Sequence, residues 1–315
     1  MWTLYVLGTV ILWGITDIFY KKGANRDDKY KPFKFSVSIG LIFFIIAVCY
    51  IIVRDEPFTI WESAIRFWPI TLFGIIYAVV NTFTFQGFMY NEASIVAPVE
   101  NTANGSYVIL LIIIYAILGR IKSVWDILTV YKLIGIILIF MGLFALGIVQ
   151  NRETKAKGVV KKEMLKAGAG ALVFPVVFSL MDGLETVITG LCLDKTFGFA
   201  MPEGDGVIII GMEYAVFALF FWLYVNYKEK RVFNPFTKSN MPLIAGALCD
   251  NVAVVLYAYA MAIDSVATDP VLSVYPVLTV LLSVFLLKER LSVKQYVCIG
   301  IILLGSVVIV IGQNV

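Results

Sequence analysis

Five acidic side chains lie deep inside apolar segments of this 315-residue chain: Glu100, Asp182, Glu185, Glu213 and Asp250. No Lys or Arg lies at a comparable depth in these segments, and the chain contains no His. A buried carboxylate without a cationic partner takes up a proton or binds a cation. We therefore expect cation and proton exchange at these positions. Proton coupling is assigned to Glu100, Asp182, Glu185 and Asp250.

Neutral polar and aromatic side chains recur near these carboxylates at helical spacing. Glu100, Asn104 and Tyr107 share one helix face, and Tyr77 and Asn81 share another. Aromatic faces beside a carboxylate form the usual cage for an ammonium group. The predicted substrate-binding residues are Glu100, Asn104, Tyr107, Asn81, Tyr77, Trp13, Asp250 and Tyr257. A structural alternative stays open for single members of this set, since carboxamides also tie membrane helices together and aromatic side chains also face lipid.

The composition indicates that these residues belong to an integral membrane protein. Hydrophobic residues make up 60% of the chain and charged residues 15%, whereas soluble domains have about 45–50% and 25%. Runs of about 20 apolar residues, each long enough for a membrane helix, occur ten times. The fold class is thus an all-α integral membrane protein with ten transmembrane helices. The predicted spans are 2–20, 35–53, 67–90, 94–118, 128–149, 165–192, 207–226, 241–262, 264–287 and 292–312.

The distribution of basic residues predicts the orientation. Four connections, which follow spans one, five, seven and nine, contain 19 of the 25 Lys and Arg residues. With ten spans, all four lie on the same side of the membrane. The positive-inside rule then places these loops in the cytoplasm and both termini outside the cell membrane. Asp17 and Asp264 are compatible with positions near a membrane interface.

A basic connection near mid-chain divides the sequence into two sets of five spans. We predict a first repeat over residues 1–150, a basic cytoplasmic linker over 151–166 and a second repeat over 167–315. An odd number of helices in each set means that the two sets insert in opposite directions, as in an inverted repeat. We expect substrate to bind between spans one, three and four of the first repeat and spans six, eight and nine of the second.

The last 55 or so residues resemble the EamA family of the drug/metabolite transporter superfamily. The similar features are Pro276 within span nine, the Glu289–Arg290 pair at a helix end, and Gly300 and Gly305 in the last span. The opening stretch "LWGITDIFYKKGA" is similar to the family's first span. The resemblance implies a secondary transporter with a central cavity between two inverted bundles, commonly with cytoplasmic termini. The first half departs from the family pattern, with Ser106 in the place of Pro276 and Gly119 in the place of Glu289.

These observations favour a secondary active transporter of a small polar metabolite that works by alternating access. The excess of acidic residues favours an amine or quaternary ammonium, exchanged for protons. The alternatives are a transporter of a neutral solute (amino acid, nucleoside or sugar) and a non-transporting membrane receptor or scaffold. We expect no enzyme, cofactor or metal, since the chain has no HExxH, GxSxG or P-loop motif. The expected partners are a small-molecule substrate, protons and the lipid bilayer, with no nucleic acid, in a monomer or homodimer.

Overall fold

The computed structural model describes residues 1–53, 59–119, 121–126, 128–156, 168–193, 199, 201–263, 268, 272 and 274–311. Within these residues every regular element is helical. Closed hydrogen bonding inside each helix is what a chain of this hydrophobicity needs in a bilayer. The all-α class predicted from the sequence is therefore confirmed.

The first half of the chain contains seven helices, with a 3₁₀ turn Val124–Asp126 before the last of them. The helices are α1 (Trp2–Gly23), α2 (Lys31–Val53), α3 (Ile60–Arg66), α4 (Trp68–Tyr90), α5 (Ala93–Glu100), α6 (Ala103–Ile117) and α7 (Val130–Ala156). A 3₁₀ turn, Gly168–Leu172, opens the second half. It is followed by α8 (Val173–Leu193), α9 (Glu203–Glu229), α10 (Met241–Ile263), α11 (Tyr275–Leu282) with a π-helical turn Ser283–Leu287, and α12 (Val293–Ile311).

Eight segments of the described chain are long and apolar enough to cross a membrane, which makes the protein a multi-pass membrane protein. They correspond to predicted spans one to eight. Spans nine and ten are represented by shorter apolar helices, Tyr275–Leu287 and Val293–Ile309. The predicted count of ten is therefore not confirmed, in part because most residues of 264–273 lie outside the described residues, Asp264 among them. Most of the predicted linker lies outside them too, and α7 extends to Ala156.

One helix was missed by the sequence analysis. The seven-residue helix α3 precedes α4 and has no buried residue. Trp61 and Ile65 on this helix, and Trp68 at the start of α4, are all exposed. Tryptophan is enriched where a membrane meets water. We interpret α3 as a helix that lies along the membrane interface, where a span-length search does not detect it.

The long helices form two groups around the centre of the molecule. The first bundle consists of α4, the α5–α6 pair and α8, which pack on one another. The second bundle consists of α1, α10 and α11. The α2–α9 and α7–α12 pairs flank these bundles, and α5 packs against α11 between them.

Glycines set the closest approaches within the flanking pairs. A Cβ on Gly135 of α7 would lie 2.6 Å from the carbonyl oxygen of Gly305 on α12, and a Cβ on Gly305 would lie 2.8 Å from that of Gly135. These contacts are reciprocal. Small residues permit such backbone contacts between membrane helices.

The α2–α9 pair repeats this reciprocity. A Cβ on Gly40 would meet the Tyr214 carbonyl oxygen and the Ala218 methyl group. A Cβ on Gly211 would meet the Phe43 carbonyl oxygen and the Ala47 methyl group. The spacing from Gly40 to Phe43 and Ala47 is the same as that from Gly211 to Tyr214 and Ala218. Each helix thus presents the same three-residue pattern to the other.

Span four is broken in the middle. A turn at Asn101–Thr102 separates α5 from α6, and Pro98 lies three residues before it. The Thr102 hydroxyl donates to the Val99 carbonyl (2.7 Å) and contacts the Ser179 hydroxyl of α8 (2.8 Å). Ser106 donates to the Ser179 carbonyl (3.0 Å). These hydroxyl bonds stabilise irregular backbone at membrane depth, where it occurs only if protein or a cavity surrounds it.

Candidate functional site

A cavity of about 230 Å³ lies between the two bundles. The broken span four reaches it through Glu100 of α5 and Ala103 of α6, and the other long helices of both bundles also line it. Side chains of α2 and α9 complete its wall, which the sequence analysis did not anticipate. Eight of the predicted site residues line the cavity: Trp13, Tyr77, Asn81, Glu100, Asp182, Glu185, Asp250 and Tyr257.

Two carboxylates belong to the wall formed by the second bundle. Asp17 of α1 accepts a hydrogen bond from the Thr279 hydroxyl (2.8 Å), and Asp250 of α10 accepts one from the Tyr20 hydroxyl (2.8 Å). Both pairs join neighbouring helices of this bundle. Asp17 is only 7% exposed and lines the cavity.

Aromatic side chains lie beside these carboxylates. The Trp13 ring centroid is 5.6 Å from that of Tyr257 and 5.5 Å from that of Tyr275. Such distances and tilted ring planes are typical of packed aromatic pairs. All three residues line the cavity, so the second bundle offers both negative charge and π faces.

The wall formed by the first bundle also contains acidic groups. Asp182 of α8 accepts a hydrogen bond from the Tyr77 hydroxyl of α4 (2.6 Å). Glu185, one turn further along α8, accepts one from Thr189 (2.5 Å). The Asn81 amide donates to the Tyr214 hydroxyl of α9 (3.0 Å), so Asn81 has the helix-tying contact of the structural alternative and also lines the cavity.

Glu100 differs from the other acidic residues in its contacts. It is the last residue of α5, directly before the break in span four, and it is only 5% exposed. Its Oε1 atom is buried and has no hydrogen-bond partner among the described residues. A charged group in such a position is costly unless a ligand or a proton compensates it. Glu100 is therefore the acidic side chain of the cavity that most requires a partner.

Two predicted residues are not among those that line the cavity. Tyr107 packs instead beside Val108 and Ile136, in an apolar cluster between α6, α7 and α12. The reason is the turn at Asn101–Thr102, which interrupts the helical register that would have placed Tyr107 with Glu100. The side chain of Asn104 lies outside the described residues, although its backbone belongs to α6.

The described lining of the cavity contains five carboxylates, from Asp17, Glu100, Asp182, Glu185 and Asp250, and no Lys or Arg. The role of Asp17 was left open from the sequence, and Tyr20, Tyr275 and Thr279 were not predicted as site residues. The spacing of Asp17 and Tyr20 along one helix face was a usable signal. The bond from Thr279 depends on packing between distant helices and left no signal in the sequence.

The fifth carboxylate named from the sequence, Glu213, lies apart from this lining. Its two carboxylate oxygens are buried without a hydrogen-bond partner among the described residues. They lie against Gly74 of α4, where an added Cβ would overlap Oε2. Gly74 itself lines the cavity, so Glu213 lies behind the cavity wall.

An aromatic plug closes the cavity at the face where the basic loops emerge. The plug consists of Tyr20, Phe35, Phe85 and Phe88, which are at most 2% exposed. The Phe35 and Phe85 rings stack with centroids 4.7 Å apart, and Tyr20 meets Phe35 edge-on at 4.7 Å. Phe85 and Phe88 belong to the first bundle and Tyr20 to the second, so the plug joins the two bundles.

Polar contacts between the bundles surround this plug. The Lys21 ammonium group donates to the carbonyls of Phe88 and Asn91 at the end of α4. Arg26 donates to the carbonyls of Met89 (2.5 Å) and Tyr90 (2.9 Å). Cations at a helix C-terminus are stabilising because they complement the helix dipole.

Glu289 makes the complementary contact at the start of α5. Its carboxylate accepts hydrogen bonds from the Ala93 amide (2.9 Å), the Ser94 amide (3.0 Å) and the Ser94 hydroxyl (2.6 Å). A carboxylate at a helix N-terminus satisfies amides that have no partner within the helix. Glu289 follows α11 and so connects the second bundle to the helix that ends at Glu100. The contacts of Lys21, Arg26 and Glu289 with the α4–α5 corner are called the latch below.

A smaller cavity of about 50 Å³ extends the main one in the other direction. The two cavities share lining residues that include Glu185 and Tyr257, and the smaller one continues to Leu193, Gly206 and Met261. These residues lie near the ends of α8 and α10 and the start of α9, at the face opposite the plug. The site is thus a cavity in a multi-pass membrane protein that is packed shut at one face and extends toward the other.

Comparisons with known proteins agree with this description. Residues 198–311 match the model of the EamA-like transporter family, which confirms the resemblance over that part of the chain. Seventeen chains of solved structures match. In one crystal structure the match covers 100% of this chain and 99% of the other, with a TM-score of 0.56 and 12% identity, which shows a shared fold. No curated protein is significantly similar in sequence.

Proposed function

We propose that this protein is a secondary active transporter that moves a small amine or quaternary ammonium ion across the cell membrane in exchange for protons. The observation that carries this proposal is the charge of the cavity, whose described lining has five carboxylates and no basic residue. A neutral solute would leave this charge to be compensated by protons alone. A cationic solute compensates it directly and has aromatic faces to contact.

Ten transmembrane helices in two inverted repeats, over residues 1–150 and 167–315, form the proposed architecture. The reciprocal contacts of Gly135 with Gly305, and of the α2 and α9 patterns, support it, because a two-fold axis in the membrane plane makes such contacts equivalent. The bundles support it as well. The first bundle combines α4 and α5–α6, the third and fourth long helices of the first half, with α8, the first long helix of the second half. The second bundle combines α10 and α11 of the second half with α1 of the first half in the same way.

The proposed cycle rests on proton exchange at Glu100, Asp182, Glu185 and Asp250. A protonated carboxyl group is neutral and costs little in an apolar cavity, whereas an ionised one requires a cation beside it. Arrival of an ammonium group therefore favours release of a proton, and return of the proton favours release of the ammonium group. Substrate and protons thus occupy the cavity in turn, which is the requirement for obligatory exchange.

The described conformation has the basic face shut. We place that face in the cytoplasm and both termini outside, because the Lys and Arg residues of the loops concentrate there. The plug then separates the cavity from the cytoplasm, and the smaller cavity leads toward the outside. In an alternating-access cycle, the two bundles must separate at the plug and the latch to release substrate inward.

The proposal is tested with purified protein, monomeric or dimeric, reconstituted in proteoliposomes. We expect amines to raise the Tm of the wild-type protein more than that of Glu100→Gln, and labelled amine to show counterflow. Glu62→Gln, a carboxylate on the exposed helix α3, is the matched control and should behave as wild type. Stabilisation of both wild type and Glu100→Gln by neutral solutes alone would contradict the amine proposal. Binding without counterflow would indicate a receptor.

A further inference from the structure

We infer that the substrate carries two amino groups, in a short aliphatic diamine that bridges the two bundles. This inference rests on the proposed function, since it assumes that the central cavity binds a cation. It is drawn from how the carboxylates are divided between the bundles and from the size of the cavity.

The carboxylates of the cavity form two groups on separate bodies of the protein. Asp17 and Asp250 belong to α1 and α10 of the second bundle. Glu100 and Asp182 belong to α5 and α8 of the first. A single ammonium group has one positive charge and can neutralise one carboxylate. Two ammonium groups at the ends of one molecule can neutralise one carboxylate on each bundle.

The hydrogen bonds within each group leave this negative charge in place. Asp17, Asp250 and Asp182 each accept a hydrogen bond from an uncharged hydroxyl, that of Thr279, Tyr20 or Tyr77. A neutral hydroxyl orients a carboxylate without compensating its charge. Glu100 Oε1, which is buried and without a partner among the described residues, adds an unsatisfied acceptor on the first bundle. Both bundles therefore present oriented acceptors to a ligand.

The dimensions and the remaining lining favour a thin, flexible linker between the two amino groups. A volume of about 230 Å³ is smaller than the roughly 300–1,000 Å³ of pockets that hold drug-sized ligands. The rings of Trp13, Tyr257 and Tyr275 supply an apolar surface on which methylene groups can pack. A bulky polycyclic cation does not fit this combination.

Charge balance gives the exchange step. As the diamine binds, one proton leaves a carboxyl group on each bundle and two ammonium groups take the place of the two protons, so the net charge of the cavity is unchanged. Because each end of the diamine is bound to a different bundle, the ligand also holds the bundles together. A monoamine neutralises only one bundle and leaves the other to be protonated.

The test compares matched amines on the full-length protein. 1,4-Diaminobutane and n-butylamine have the same carbon chain and differ by one amino group. For the wild-type protein, 1,4-diaminobutane should give half-maximal thermal stabilisation at a concentration at least tenfold lower than that required of butylamine. We expect the same ratio for half-maximal inhibition of the counterflow of labelled amine. Glu100→Gln and Asp250→Asn, one on each bundle, should each remove this advantage, and Glu62→Gln should keep it. If Asp250→Asn does not yield monodisperse protein, Asp17→Asn tests the same bundle.

The outcomes separate this inference from the proposed function. Equal potency of butylamine and 1,4-diaminobutane on the wild-type protein, with saturable counterflow of either, would overturn the diamine inference and leave the amine transporter intact. If only one of the two bundles' variants lost the diamine's advantage over butylamine, the diamine inference would also be overturned, because bridging requires a carboxylate on both bundles. Stabilisation by neutral solutes and by neither amine would overturn both proposals. The wild-type comparison needs no variant and decides the question even where a variant fails to fold.

Discussion

The two ends of the central cavity are built differently. At the basic face, Tyr20, Phe35, Phe85 and Phe88 fill the space between the bundles, and the latch holds the α4–α5 corner on either side of a tight turn. At the opposite face, the cavity continues into a smaller one that ends near Leu193 and Met261. The difference identifies the contacts that separate the cavity from the basic face, which are the aromatic packing of the plug and the charged groups on two helix ends.

The closed end also shows a division of labour between apolar and polar contacts. The plug excludes water through close packing, which does not depend on any single hydrogen bond. The latch contacts are directional bonds between charged side chains and helix termini. In the proposed cycle, water can replace these bonds as the basic face opens. Variants of the plug and of the latch should therefore have different effects, which three substitutions can test.

The largest effect is expected for Phe85→Ala, which removes the centre of the plug. Phe85 is fully buried and contacts both Phe35 and Tyr20, so the change should lower the free energy of unfolding by about 3–5 kcal/mol. It should also open a path from the basic face to the cavity. The measurements are the Tm and the labelling of Thr16→Cys, a cavity position, by an impermeant maleimide added at the basic face of a cysteine-free protein.

Phe220→Ala is the control for this loss of a ring, because Phe220 is 60% exposed on the outer side of α9. Its Tm should change little and Thr16→Cys should stay protected. Equal protection of Thr16→Cys in Phe85→Ala would show that the aromatic cluster is not the barrier.

An intermediate effect is expected for Glu289→Ala in the latch. The change leaves the amides of Ala93 and Ser94 without their acceptor, and loss of charge-assisted hydrogen bonds costs about 2 kcal/mol. If this energy favours the closed over the open basic face, the open fraction should rise roughly 30-fold. The rate of maleimide labelling at Thr16→Cys measures this fraction.

Glu229→Ala provides the matched comparison at the same face. Glu229 pairs with Lys34 (2.5 Å) and Arg231 (3.0 Å), and its pair with Lys34 joins α9 to α2 rather than one bundle to the other. The rate of maleimide labelling at Thr16→Cys in the Glu229→Ala variant should stay within twofold of the rate in the parent protein. A Glu289→Ala rate no faster than that of Glu229→Ala would reduce Glu289 to a local helix cap.

The smallest effect is expected for Lys21→Met, which keeps an unbranched apolar side chain. The cation interacts with the carbonyls at the end of α4, and such interactions with a helix C-terminus typically contribute about 0.3–1 kcal/mol. Labelling of Thr16→Cys should accelerate by less than tenfold. An acceleration larger than that of Glu289→Ala would reverse the proposed order within the latch.

Much of this arrangement could be predicted from the sequence because it follows from hydropathy and charge. The positions of the first eight spans, the acidic character of the site and the weakness of span four around Glu100 all depend on local composition. Pro98 and the polar residues after it were a usable signal of the interruption, although the sequence analysis predicted one continuous span over 94–118. The helical spacing that grouped Tyr107 with Glu100 does not hold across this break, and Tyr107 lies outside the cavity lining.

The remaining features depend on contacts between distant parts of the chain. Glu289 was identified as part of a family pattern, but its role as a cap on α5 could not be read from a loop almost 200 residues away. Pro276 was interpreted as a mid-helix residue and instead lies in the first turn of α11, where its missing amide hydrogen costs nothing. The plug consists of aromatic residues of types that occur throughout the chain, so the sequence gives no signal for it. Only the packing in the structure distinguishes Phe85 from phenylalanines that face lipid.

The Gly135–Gly305 contact also bears on protein engineering. An added Cβ at Gly135 would meet the Gly305 carbonyl oxygen as well as the Ile309 side chain, and one at Gly305 would meet the Gly135 carbonyl oxygen as well as the Ile139 side chain. Because a backbone atom is involved in each case, no substitution of a facing side chain can by itself make room for an added methyl group. The two positions are therefore independently restricted to glycine. They can serve as fixed register marks when α7 or α12 is exchanged for the helix of a distant relative, because a graft shifted by even one residue loses the close approach.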